Sequence, residues 1–112
     1  MNDQLEGTWE LLSGQPLPEG IRDVKILSGG HFMFAAYDTR TGEPLYSAGG
    51  TYRLDGTSYV EHMEFASGKL PVGLVGKDQS FTVDVDADTF TFTQRGMLSN
   101  GKPLMEKWKR IG

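Results

Sequence analysis

The sequence contains no cysteine, little basic charge and no long apolar run. Lack of cysteine excludes a disulfide framework, a thiolate metal site and a cysteine nucleophile, and leaves the redox compartment open. Eleven Lys and Arg stand against fifteen Asp and Glu, a net charge of −4. The basic footprint of a nucleic-acid or anionic-membrane binder is therefore missing. No stretch approaches the ~20 apolar residues of a transmembrane helix. The N-terminus, MNDQLEGTW, carries neither a basic nor an apolar signal region. A soluble cytoplasmic protein is the expectation, with a mature form whose signal has been removed as the alternative. Chemical motifs are sparse too. There is no Gly-x-Ser-x-Gly elbow, and Gly29-Gly30 and Gly49-Gly50 precede no helix, so neither reads as a phosphate-binding loop.

What is present is turn chemistry and alternation. The 112 residues make one domain, 1–112, with fifteen glycines and five prolines spread as turn punctuation. The clearest unit is GGTYRLDGTSYVEHMEF, Gly49 to Phe65. Asp55-Gly56 predicts a two-residue hairpin turn, pairing Leu54 with Thr57, Tyr52 with Tyr59, Gly50 with Glu61 and Gly49 with His62. Alternation then puts Tyr52, Leu54, Tyr59, Glu61, Met63 and Phe65 on an inward face. Opposite a glycine, Glu61 should have space beside it.

Further strands are expected at Leu5 to Ser13, Ile21 to Leu27 and His31 to Asp38 before this hairpin. Ser80 to Asp86, Thr89 to Arg95 and Pro103 to Ile111 follow it. Gln15 to Gly20 (QPLPEG) reads as a loop, and Asn100-Gly101 as another strong turn. Ser67 to Lys77 (SGKLPVGLVGK) is the least strand-like segment and suits a mobile connection or lid. Eight short strands at regular spacing, with no convincing helix, predict an all-β fold: an eight-stranded antiparallel up-and-down barrel. A barrel of that size holds packed side chains or one small ligand.

The ends of the chain carry a family resemblance. Gly7-Thr8-Trp9 on the first strand, with Trp108 and Arg110 on the last, resembles the calycin pattern of lipocalins. The runs KILSGGHFMFAAYD, GGTYRLDGTSYVEHMEF and LSNGKPLMEKWKRI look like small bacterial lipocalin-like domains of uncharacterised function. The resemblance implies a lipocalin-like barrel in which Arg110 packs over Trp9 at a closed end. It names no ligand.

Candidate residues follow from the inward faces. Glu61 and Glu106 are carboxylates that must be paired, hydrogen-bonded or protonated inside an apolar barrel. For Glu106 the structural reading is an ion pair with Arg110, two positions along the same face. Glu61 is the candidate general acid or base. The candidate ligand-binding set is Phe34, Tyr52, Tyr59, Glu61, Met63, Phe92, Gln94 and Glu106, and the alternative for each aromatic, including Phe65 and Phe90, is plain core. His31, His62 and Glu64 could be imagined as metal ligands, but a solvated strand face is the simpler reading; neither metal nor cofactor is expected. The leading function is binding of a small, mostly apolar or amphipathic molecule inside the barrel. A small barrel enzyme (an isomerase, lyase or cyclase using Glu61) is the runner-up. The third class is a module working through an outer face or as a homodimer.

Overall fold

The computed structural model describes residues 4–14, 17–68 and 72–112. Its strands are β1 (Gly7–Ser13), β2 (Ile21–Ser28), β3 (His31–Asp38), β4 (Pro44–Asp55), β5 (Ser58–Gly68), β6 (Asp78–Asp86), β7 (Thr91–Met97) and β8 (Pro103–Arg110). Each pairs antiparallel with the next, and β8 returns to β1, so the sheet closes as an up-and-down barrel. The fold expected from alternation and turn spacing is the one that forms. Between β5 and β6 lies a 3-10 turn, Val72–Leu74. Of the expected lid, Ser67 and Gly68 instead continue β5, paired with Ser47 and Tyr46, and residues 69–71 fall outside the described residues, as do residues 15–16 of the QPLPEG loop.

The central hairpin differs from expectation in register. Asp55 pairs with Ser58, Leu54 with Tyr59 and Tyr52 with Glu61, so the turn is centred on Gly56 and Thr57. Gly56, at φ 62°, supplies the left-handed conformation the turn needs. From the turn as far as Gly50 every pairing therefore moves by two residues, which preserves the faces because side chains repeat every two. Gly50 meets Met63, not Glu61, and Gly49 meets Phe65, not His62. Between those two pairs β5 carries one extra residue, Glu64, as a bulge. A side chain at Gly50 would run into the His62 carbonyl, so only glycine permits this approach. The bulge flips the parity of β5 beyond it. Phe65, expected inside, is turned outward over Gly49 and is 42% exposed.

Phe90 is a second correction. It lies in the turn before β7 rather than in the strand, with φ 56° and 61% exposure. The extended alternation begins at Thr91, so Phe92 and Gln94 still point inward, both buried.

The two barrel ends are built differently. At one, Leu5, Trp9, Phe92 and Trp108 are fully buried. The Trp9 ring meets Phe92 edge-on at 4.6 Å, and its Nε1–H donates to the Leu5 carbonyl at 2.8 Å. Arg110 lies 4.4 Å from the centre of the Trp9 ring, as the resemblance implies. Its guanidinium also donates to the Glu6 and Gln4 carbonyls. That end is sealed. Gly14, Leu74, Leu98 and Asn100 stand around the other, and there the interior stays hollow.

Candidate functional site

A cavity of about 500 Å³ occupies the interior at the unsealed end. Phe34, Met63, Phe81, Leu98, Leu104 and Trp108 give it apolar walls. Leu74, from the 3-10 turn, is buried against Met63 at its mouth. The Gly76 N–H donates to the Met63 carbonyl at 2.7 Å, fastening that end of the connection to β5. Across the mouth, Gln79 binds both the hydroxyl and the backbone N–H of Ser99, tying down the β7–β8 connection.

The polar wall centres on Lys25, 1% exposed. Strand β2 alternates so that Asp23, Lys25 and Leu27 point inward while Ile26 faces solvent. Lys25 Nζ donates to Glu61 Oε2 and to Gln94 Oε1, each at 2.9 Å. It also lies 4.8 Å from the Trp108 ring centre, and 5.7 Å from those of Phe34 and Tyr59. Tyr59 Oη donates to the same Glu61 oxygen at 2.6 Å. Stripping an ammonium and a carboxylate of water costs several kcal/mol per ion, and such a pair persists only when further hydrogen bonds complete it. Gln94, Tyr59 and the aromatic rings supply that completion here.

Two more carboxyls share the cavity. Asp23 Oδ2 accepts a 2.9 Å hydrogen bond from Tyr46 Oη, while Oδ1 is buried without a partner among the described residues. Burial pushes the Asp23 carboxyl up to about 6 against the opposing pull of Tyr46 and Lys25. Burial likewise pushes Glu106 up to about 7. Lys25 offsets part of that rise, while Glu61 and Asp23 add to it through like-charge repulsion. The Trp108 indole N–H favours the Glu106 anion slightly but closes no hydrogen bond with it. Burial and the Asp23 charge together raise the Tyr46 hydroxyl as well.

The expected site residues divide into two groups. Phe34, Met63, Glu61, Gln94 and Glu106 line the cavity. Tyr52, Tyr59 and Phe92 sit in the packed core beneath it. Glu61 does not look into an empty space beside Gly50; Tyr52 is its neighbour on β4, and Lys25 occupies its carboxylate. The expected Glu106–Arg110 pair does not form, because Arg110 is turned over Trp9 at the sealed end. His62 Nδ1 faces Asp78 at 2.8 Å on the outer surface, and His31 Nδ1 lies 3.1 Å from the Gly29 carbonyl.

Sequence reasoning missed Lys25, Asp23 and Tyr46. The available signal was the spacing of Asp23, Lys25 and Leu27 on one face of β2, but a charged pair at that spacing ordinarily marks a solvated face. No known family model matches this chain, and no curated protein matches it either.

Proposed function

We propose that the barrel binds one small amphipathic molecule in its interior, its apolar body against Phe34, Leu104 and Trp108 and its polar head towards Asp23 and Glu106. The observation that carries this reading is the cavity of about 500 Å³ inside a closed barrel, at the end away from Arg110. Its size falls within the ~300–1,000 Å³ usual for small-molecule sites, and its mix of apolar wall and few polar groups is also typical of them. A wholly apolar ligand fits less well, since it would leave the buried carboxyls without partners. Membership of the calycin superfamily, as a small bacterial lipocalin-like domain, belongs to the same proposal. It is supported by the Gly7-Thr8-Trp9 and Arg110 pattern and by a barrel of compatible strand number and order.

The test uses a neutral fluorescent probe, N-phenylnaphthylamine, titrated into the protein and into a Leu104→Trp variant that fills the cavity. Saturable binding at one site, lost in the folded variant, is the expected result. Equal binding to both, or none to the parent protein, would contradict it.

A second reading, proton transfer on a bound substrate, is favoured by Glu106, whose carboxyl at about 7 suits exchange near neutral pH. Glu61, the candidate from sequence, is already engaged by Lys25 and Tyr59.

A further inference from the structure

We infer that the polar head of the ligand is a cation, an ammonium or another protonated nitrogen base, seated by Asp23 and Glu106. The inference rests on the reading of the cavity as a binding site and names the class of molecule it takes.

The charge inventory comes first. Among the described residues, Asp23, Glu61 and Glu106 line the cavity against one buried ammonium, Lys25. Lys25 is committed to Glu61 and Gln94, so among the described residues Asp23 and Glu106 have no directly bonded cation. Lys102 stands at the mouth but is exposed to water. Geometry adds a second observation. Asp23 is 3% exposed, yet its Oδ1 has no hydrogen-bond partner among the described residues. A buried carboxylate oxygen left unbonded is costly, and a ligand N–H donor removes that cost. Aromatic walls complete the case. The rings of Phe34 and Trp108 already flank one ammonium, that of Lys25, and offer a second cation the same attraction. Trp108 Nε1–H also lacks a hydrogen-bond partner among the described residues, and an acceptor on the ligand body would satisfy it.

An anionic head would be repelled by the Asp23 and Glu106 carboxylates. A neutral head would leave their surplus charge to be neutralised by protons. Those protons are part of the prediction. The groups facing Asp23 and Glu106 are Lys25 on β2, Tyr46 on β4, Glu61 on β5 and Trp108 on β8. Phe34 on β3, Gln79 on β6 and Gln94 on β7 add no charge. Burial lifts both carboxyls into the range about 6 to about 7. A bound cation favours their ionised forms, so binding releases protons and affinity falls as pH drops through that range.

The experiment compares three probes sharing one body: phenylpropylamine, phenylpropanol and phenylpropionate, measured by isothermal titration calorimetry. Near pH 8 the amine should bind at least about tenfold tighter than the alcohol, with the carboxylate weakest. That preference should weaken sharply near pH 5, where the amine is still protonated but Asp23 and Glu106 are mostly protonated too. Asp23→Asn and Glu106→Gln should each lower the amine-to-alcohol ratio. Alcohol or carboxylate binding as tightly as the amine near pH 8 would overturn the cation inference while leaving the binding cavity intact. Failure of all three probes, together with failure of the neutral naphthylamine, would overturn both.

Discussion

The sealed and hollow ends of this barrel use the same strands for opposite purposes. At the sealed end a cation, Arg110, lies on an aromatic ring and spends its donors on backbone carbonyls. No buried carboxylate is needed to hold it. At the hollow end a cation, Lys25, also lies among aromatic rings, yet it is surrounded by more carboxyls than it can neutralise. Trp108 connects the two: its ring stacks on Phe92 at 6.5 Å and also approaches Lys25. The difference separates a core from a site. In a core the polar groups are few and satisfied, whereas Asp23 Oδ1 at the hollow end has no partner among the described residues.

Substitutions at the two ends should behave differently with pH. Trp9→Ala should cost about 3–5 kcal/mol, the usual effect of emptying a buried large aromatic site. The loss should be the same near pH 5 and near pH 8, because the ring touches no group that titrates there. Urea denaturation at both values checks this. A loss under roughly 1 kcal/mol, the scale of a surface change, would mean that the sealed end is not the stable part of the barrel.

The smaller effect, opposite in sign, is expected from Glu106→Gln. The native carboxyl holds its proton up to about 7, against an ordinary value of 4.5 once unfolded. Between those values the native state binds more protons than the unfolded chain, so rising pH lowers stability. The variant removes this dependence. It should match the parent protein below pH 4.5 and become more stable by about 1–3 kcal/mol above neutrality. A variant less stable than the parent near pH 8 would show that the Glu106 charge holds the hollow end together rather than straining it.

The sequence revealed the sealed end far better than the hollow one. Strand alternation and turn dipeptides were enough for the barrel, because each depends on residues close together in the chain. Trp9 and Arg110 were legible through a resemblance that spans both termini. The hairpin faces also survived a register error, since a shift of two residues leaves them unchanged. The bulge at Glu64 was not legible. It depends on how Gly50 approaches the His62 backbone, and so Phe65 was assigned to the wrong face. The centre of the cavity was hidden for a related reason. Lys25 finds Glu61 and Gln94 across 36 and 69 residues of sequence. On β2, the apolar Ile26 faces water while the charged Lys25 is buried, the reverse of the usual pattern.

The most direct test of this contrast is the titration of Glu106 itself, followed by carbon NMR of its side-chain carboxyl with and without phenylpropylamine. We predict a midpoint of about 7 in the free protein, moving to lower pH when the amine is bound. A midpoint at the ordinary 4.5, unmoved by the amine, would contradict an interior held short of positive charge.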